Sequence, residues 1–139
     1  LTGTFFGCRE FAQRLRHHDE GGAIVNVSSI SGFRATQPGH HLAYDVAKAG
    51  VAHLTRVLGA EWAESGIRVN AIGPGYTNTS ILQGMGISDP ELVSTWIRQV
   101  PQGRLIDPSE IARAVVFLAG DSASAITGQT LMADGGYSL

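Results

Sequence analysis

A tyrosine and a lysine four residues apart, Tyr44 and Lys48, are the pair in this sequence with the clearest chemical potential. Lys48 is the single lysine of the chain, and the other nine basic residues are arginines. On a helix, positions i and i+4 lie on one face about 6 Å apart. A phenol has a pKa of about 10, and a fixed ammonium one turn away stabilises the phenolate and lowers that pKa. The spacing therefore predicts that Tyr44 gives and takes protons beside Lys48.

Three serines, Ser28, Ser29 and Ser31, follow a short apolar stretch that ends at Val27. In open α/β sheets, reactive groups lie at the carboxyl ends of strands. One hydroxyl at this position could hold a carbonyl oxygen beside Tyr44. We interpret Ser28 and Ser31 as plain loop residues.

The segment "GPGYTNT", residues 73–79, follows a second apolar stretch at the equivalent place. Taken alone, this segment is as well explained by an ordinary Pro-Gly turn as by a ligand-binding role. Beside the tyrosine-lysine pair, it predicts that backbone groups and the hydroxyls of Thr77 and Thr79 line a ligand crevice.

Periodicity and turn residues predict the elements that must position these groups. Apolar residues recur at three- and four-residue steps over 4–17 and 43–65, which predicts two helices, the second ending near Gly66. Residues 30–42 are predicted to form a loop. The other predicted elements are strands in "GGAIVNVSS", "IRVNAIGPG" and "GQTLMADGG", short helices near 78–85 and 90–98, and a helix in "DPSEIARAVVFLAG", with Asp107 as N-cap, Pro108 at N1 and Glu110 at N3.

Strands that alternate with helices predict parallel pairing through right-handed crossovers. Crossovers of one hand between neighbouring strands would place the helices on one face of the sheet and leave the other uncovered. The sequence therefore predicts an α/β, Rossmann-like doubly wound parallel sheet, of which residues 1–139 form half: three parallel strands with helices.

Composition excludes several classes of function. The chain has 139 residues, 43% of them hydrophobic, and a net charge of −2, which argues against a nucleic-acid partner. No apolar run reaches the roughly 18 residues of a membrane span. Cys8 is the only cysteine, which favours a reducing, cytoplasmic setting. The pair His40 and His41 is interpreted as a polar pocket rim or as solvent-exposed, and no metal site is predicted.

Together these residues resemble the classical short-chain dehydrogenase/reductase family over essentially the whole chain. The resemblance is carried by "GGAIVNVSSISG", "YDVAKAGV", "LTRVLGAEWAESGIRVNAIGPGYTNT" and "GRLIDPSEIARAVVFLAGDSASAITGQTLMADGGY". It implies that residues 1–139 are the C-terminal, catalytic part of a single Rossmann-fold domain, with a substrate lid at about 79–103. It also implies that an N-terminal half, with the glycine-rich phosphate loop, is missing, so that the chain alone is inactive.

The resemblance implies a role for each matching residue. Ser29 would position the substrate oxygen, Tyr44 would transfer the proton, and Lys48 would lower the pKa of the tyrosine and bind the nicotinamide ribose. Cofactor binding would fall on Tyr44, Lys48, Pro74, Gly75, Thr77 and Thr79. The implied cofactor is NAD or NADP, with NAD favoured, and it serves hydride transfer to or from a small alcohol or ketone.

Narrower similarities point to a polyol or sugar as substrate. "SISG", "DPELVSTWIRQVPQGR" and "DGGY" look like the sugar-alcohol dehydrogenase branch. Reduction of 3-oxoacyl or steroid-like ketones stays open. So does a truncated or non-catalytic subunit that acts in binding or assembly, since the phosphate loop is missing.

The two long helices predict assembly, because the second carries two apolar stripes and one sheet face covers only one of them. The small residues Ala49, Ala52 and Gly59 would let a partner helix approach. In the family, the corresponding helices pair across a two-fold axis, and the final helix and strand make a second two-fold contact. The resemblance therefore implies a homotetramer.

Overall fold

The structure is a computed structural model that describes residues 1–35 and 41–139, apart from the side chains of residues 85–88. Pro38, Gly39 and His40 of the predicted loop lie outside the described residues. The elements that build the sheet and its cover are α1 (Thr2–His17), β1 (Gly22–Val27), α2 (Leu42–Glu61), β2 (Ile67–Pro74), α3 (Ser80–Ser88), α4 (Pro90–Gln99), α5 (Pro108–Ala119) and β3 (Thr130–Ala133). Short 3₁₀ turns lie at Ile30–Gly32, Ala63–Ser65 and Asp121–Ala123.

The described residues form a parallel sheet of three strands in the order β1-β2-β3. Strand β1 pairs with β2 from Gly22 opposite Ile67 to Val27 opposite Ile72. Strand β3 pairs with the second half of β2, from Ala71 opposite Thr130. The predicted α/β class with three parallel strands is confirmed, and the carboxyl ends of β1 and β2 lie side by side.

Helices α1 and α2 cover one face of this sheet. Their buried side chains meet the β2 residues Ile67 and Val69, both fully buried. Two buried side-chain hydrogen bonds link α1, β1 and α2. The Cys8 thiol donates to Asn26 Oδ1 (3.3 Å), and Asn26 Nδ2 donates to Thr55 Oγ1 (3.0 Å). Burial raises the pKa of the Cys8 thiol, which keeps it protonated as the donor.

Helix α5 lies on the opposite face, so the prediction that the helices share one face is wrong. Successive strand residues point to opposite faces, and Arg68 alternates with Ile67 and Val69. The Arg68 guanidinium donates to the Leu118 carbonyl (2.8 Å) in the last turn of α5 and to the carbonyl of Gly120 (3.1 Å), which follows the helix. A cation is favourable at this helix end. Because the strands follow chain order across the sheet, helices on opposite faces give the two crossovers opposite hands.

Helix α5 begins with the predicted capping box. Asp107 Oδ1 accepts from the Ser109 backbone N–H at 2.7 Å, and Glu110 Oε2 accepts from the Asp107 backbone N–H at 2.9 Å. Arg104 adds two bonds to the Glu110 carboxylate, at 2.7 and 2.8 Å. Arg104, followed by the Asp107 backbone, lowers the pKa of Glu110 to about 2.

The end of α2 departs from the prediction in detail. The α-helix ends at Glu61, the Ala63–Ser65 turn follows, and Gly66 then takes a left-handed conformation with φ of 68°. Gly59 does not face solvent or a partner helix. A Cβ there would come within 2.5 Å of the Gly128 backbone nitrogen, so glycine is required where α2 meets the loop before β3.

Among the described helices, none is long and apolar enough to cross a lipid bilayer.

Candidate active site

Ser29 lies two residues after the carboxyl end of β1, at the start of the Ile30–Gly32 turn. Its hydroxyl oxygen accepts from the Ser31 backbone N–H at 3.2 Å, which caps the turn. The residue is only 8% exposed, yet it lines the cleft described below. The turn therefore fixes the Ser29 side chain at the end of the strand.

Residues 28–34, here called the serine segment, are fastened to α2 by contacts with its backbone. The buried Ser28 hydroxyl donates to the Lys48 carbonyl at 2.9 Å, so Ser28 holds the segment on α2 and is more than the plain loop residue that the sequence suggested. Gly32 lies so close that a Cβ would come within 2.9 Å of the Lys48 carbonyl carbon and oxygen. The distance between the strand end and α2 is thus set by backbone atoms.

Tyr44 and Lys48 lie in the first turns of α2, on one face as predicted. Lys48 Nζ lies 5.6 Å from the centroid of the Tyr44 ring. It donates to the Val27 carbonyl at 2.8 Å, at the end of β1. The Tyr44 side chain is about half exposed and lines the cleft. The ammonium is therefore fixed by backbone close to a phenol that a ligand can reach.

The segment after β2 forms the adjoining part of the cleft. Gly75, Thr77 and Thr79 line it, whereas Pro74 ends β2 and does not. The Thr77 hydroxyl donates to the Gly75 carbonyl at 2.9 Å. A Cβ at Gly75 would come within 2.7 Å of Asp134 Cα, so this position needs glycine to pack on the C-terminal segment.

These groups meet in one cleft of about 420 Å³. Ser29, Tyr44, Gly75, Thr77 and Thr79 are brought together in its lining, and Lys48 lies next to Tyr44. Ile81, Leu82 and Trp96 of the predicted lid also line it, as do Ile30, Ser31, His41 and Tyr76.

Two further residues of the cleft lining, Ser31 and His41, can be compared with their interpretation from the sequence. Ser31 was interpreted as a plain loop residue, yet it is part of the cleft lining. Its position two residues beyond Ser29, within the same turn, was the available signal. His41 lines the cleft and is exposed, so its position fits both interpretations given for it, a polar pocket rim and a solvent-exposed side chain.

Sequence reasoning missed an aromatic cluster beside the cleft, formed by Tyr76, Trp96 and Tyr137, here called the aromatic wall. The rings of Tyr76 and Trp96 stack with centroids 5.1 Å apart at 13°, and Tyr137 meets Tyr76 edge-on at 5.4 Å and 88°. Burial first, and then the hydrogen bond with Tyr137, raise the pKa of Tyr76 above its ordinary value. Tyr76 is therefore a neutral phenol. Tyr44 is the better proton-transfer candidate in the cleft because it is half exposed and has the Lys48 ammonium beside its ring.

The polar side chains at the cleft are its hydroxyls, the imidazole of His41 and, next to Tyr44, the ammonium of Lys48. Among the described residues that line it there is no carboxylate and no cysteine. In the part of the chain that the structure describes, no group of three or more histidine, cysteine, aspartate or glutamate residues is placed to hold a metal ion. Such a donor set suits hydrogen bonding to an alcohol or carbonyl oxygen and proton transfer.

Comparison with known proteins gives the family. A sequence profile described as enoyl-(acyl carrier protein) reductase matches residues 1–138. Galactitol 2-dehydrogenase (L-tagatose-forming) of Cereibacter sphaeroides is 44% identical over 139 residues, which are 100% of this chain and 54% of that protein. 3beta-hydroxysteroid dehydrogenase 1 of Eggerthella lenta is 42% identical over 140 residues, 100% of this chain and 52% of that protein. The chain thus spans about half the length of these relatives.

Solved structures agree. A crystal structure from Agrobacterium tumefaciens, described provisionally as a 2-deoxy-D-gluconate 3-dehydrogenase with bound NADP, superposes with a TM-score of 0.92 at 36% identity. The match covers 99% of this chain and 55% of that one. The profile, the relatives and the fold lead to one conclusion: the chain belongs to the short-chain dehydrogenase/reductase family.

Proposed function

We propose that the full-length protein is an NAD(P)-dependent oxidoreductase that transfers a hydride between a nicotinamide cofactor and a secondary alcohol or ketone. The observation that carries the proposal is the half-exposed Tyr44 in a cleft with Ser29, beside an ammonium fixed by its bond to the Val27 carbonyl.

Each side chain then has a distinct task. In the direction of oxidation, the Ser29 hydroxyl binds the substrate oxygen and Tyr44 takes the hydroxyl proton as the hydride leaves the adjacent carbon. In the direction of reduction, Tyr44 returns the proton to the carbonyl oxygen. Lys48 would act through its charge: its ammonium, 5.6 Å from the ring centroid, would stabilise the phenolate that accepts the proton in oxidation and that is left after proton donation in reduction.

The donors present suit a nicotinamide nucleotide, whose ribose offers hydroxyls and whose ring carries a carboxamide. One Lys48 N–H is used on Val27, and an ammonium has three, so donors remain for ribose hydroxyls. The Thr79 side chain lines the cleft and carries a hydroxyl suited to the carboxamide. When bound, the nicotinamide ring supplies or accepts the hydride. NAD as the preferred form stays a prediction, and a relative holds NADP.

A polyol or sugar is our proposed substrate, supported by the 44% identity to the galactitol enzyme. A second candidate is a ring alcohol such as a hydroxysteroid, favoured by the apolar side of the cleft, with Tyr76, Ile81, Leu82 and Trp96, and by the 42% identity to the steroid enzyme.

The test is oxidation of galactitol, D-arabinitol and a 3β-hydroxysteroid by the full-length protein, with NAD and NADP in turn. Accumulation of reduced cofactor with a secondary alcohol is expected, and the preferred alcohol decides between the two candidates. No reduction of either cofactor with any secondary alcohol or, in reverse, no oxidation with any ketone would contradict the proposal and favour a non-catalytic subunit.

We further propose that residues 1–139 are the C-terminal, catalytic part of one Rossmann-fold domain, with the lid at about 79–103. The pyrophosphate site would then lie in an N-terminal half. The 139-residue chain alone should bind NAD(H) weakly or not at all in equilibrium titration. Micromolar binding would contradict this division.

Assembly as a homotetramer is a proposal supported by exposed apolar side chains on α1 and α2. Phe6 and Phe11 are 48% and 44% exposed, and Val46 and Val57 are 61% and 38% exposed. Packing these faces against copies would bury them. Light scattering should give a tetramer for the full-length protein and a smaller species for Val57→Asp. A monomeric wild type at micromolar concentration would refute the proposed tetramer.

A cytoplasmic location stays a prediction.

A further inference from the structure

Tyr137 is the member of the aromatic wall that does not itself line the cleft. It is almost fully buried, at 3% exposure. Its ring lies edge-on against Tyr76, which in turn stacks on Trp96, and both of these rings line the cleft. A change at Tyr137 can therefore reach a ligand through Tyr76 and Trp96, and also through Ile30, which shares its buried cluster and lines the cleft.

Tyr137 also joins two segments that are far apart in the sequence. On one side, the Arg34 guanidinium lies 5.2 Å above its ring and donates to its carbonyl at 3.2 Å. Arg34 is the last residue of the serine segment. On the other side, the Tyr137 hydroxyl donates to Gln99 Oε1 of α4 at 3.3 Å. The residue thus connects the serine segment to the helix that carries Trp96.

The C-terminal turn holds Tyr137 firmly in this position. The buried Asp134 carboxylate accepts from the backbone N–H groups of Gly136 (2.9 Å) and Ser138 (3.0 Å), on either side of Tyr137. The Gln102 N–H donates to the Gly135 carbonyl at 3.1 Å, which fastens the end of the predicted lid to the same turn. A fixed backbone lets the Tyr137 ring serve as a support for its neighbours.

We propose that Tyr137 is a positioning residue for the substrate: it fixes Tyr76 and Trp96 as an apolar surface against which the carbon skeleton of the alcohol packs while its hydroxyl meets Ser29 and Tyr44. The inference rests on the proposed function and adds a substrate requirement. The preferred alcohol must present a C–H face to the two rings, as a ring alcohol or a folded polyol does.

The kinetic test compares Tyr137→Ala with Tyr137→Phe in the full-length protein. Tyr137→Ala removes the edge-on contact, and we expect KM for the alcohol to rise roughly three- to tenfold, with KM for the cofactor nearly unchanged. Tyr137→Phe keeps the ring and should restore most of the wild-type KM. Leu118→Ala, at the buried residue of α5, controls for general destabilisation and should leave the KM for the alcohol unchanged.

A spectroscopic test needs no turnover. The emission of Trp96 is isolated by subtracting the spectrum of Trp96→Phe in each background. It should shift to the red in Tyr137→Ala, as the ring becomes wetter, and stay in place in Tyr137→Phe.

Unchanged Trp96 emission in Tyr137→Ala would overturn the inference, and so would a red shift without a rise in alcohol KM. Because emission is read without substrate, a protein that oxidises no alcohol sinks the proposed function but still reports on the Tyr137 contact.

Discussion

The two sides of the cleft are held in different ways. Ser29, Tyr44 and Lys48 are the proposed catalytic residues and are here called the catalytic frame. Around them the fixing contacts end on backbone atoms: Ser28 on the Lys48 carbonyl, Lys48 on the Val27 carbonyl, and Gly32 against the Lys48 backbone. In the aromatic wall, the three rings meet one another by side-chain packing, although the backbone around Tyr137 is held by Arg34 and Asp134. Backbone contacts persist when neighbouring side chains change, whereas ring packing does not. On the proposed function, the frame would keep the chemistry constant while the wall would set the choice of substrate.

The chain's two tryptophans sharpen this comparison, since both are 8% exposed but they serve different regions. Trp62 packs in the core beneath α1 and α2, and Trp96 belongs to the aromatic wall. Trp62→Ala should lower the free energy of unfolding by about 3–5 kcal/mol with little change in alcohol KM. Trp96→Ala should raise the alcohol KM severalfold at a smaller cost in stability, as measured by denaturant unfolding and steady-state kinetics. Equal effects of the two variants on the alcohol KM would contradict the assignment of Trp96, and not Trp62, to substrate positioning.

Gly32 offers a way to break the frame directly. In Gly32→Ala, the new Cβ meets Lys48 backbone atoms at 2.9 Å, so the serine segment must move away from α2. We expect a loss of about 1–3 kcal/mol in stability and a fall in kcat, because Ser29 moves relative to Tyr44. Gly7→Ala on α1 is the matched control, since nothing lies within 4 Å of its Cβ. A Gly32→Ala enzyme with wild-type kcat would show that the backbone contact does not set the geometry.

The smallest effect concerns the capping box, which lies outside both regions. The pKa of Glu110 is lowered from 4.5 to about 2, so its carboxylate stabilises the fold above its ordinary pKa, and that stabilisation is lost as pH falls through about 2. Glu110→Gln should therefore lower the melting temperature slightly at pH 7. The difference from wild type should shrink as the pH drops below 4.5 towards 2, and added salt should reduce it. A difference that is independent of pH would assign the effect to geometry instead of charge.

Local spacing was enough to predict the elements and the position of the catalytic frame. Tyr44 and Lys48 share a helix face whatever surrounds them, and Ser29 follows a strand end that parallel pairing brings beside α2. Their chemical roles stay predictions. The capping box at Asp107 could also be predicted, because all its contacts lie within one turn.

Features that depend on distant contacts could not be predicted. The face occupied by α5 is marked by Arg68, whose partners lie about 50 residues further on. A glycine in a helix, such as Gly59, carries no sign of what approaches it. The aromatic wall joins three segments, and none of its rings has a local pattern that names its partners.

The most direct test of the central claim makes the same substitution at two tyrosines of the same cleft. Tyr44→Phe and Tyr76→Phe each remove one hydroxyl and keep the ring, and kcat is measured for both in the full-length protein with the best alcohol. If Tyr44 transfers the proton, Tyr44→Phe should lower kcat at least ~10²-fold, whereas Tyr76→Phe, which removes the hydroxyl of a neutral phenol, should have a far smaller effect. A Tyr44→Phe enzyme with wild-type kcat, or a larger loss in Tyr76→Phe, would contradict the account.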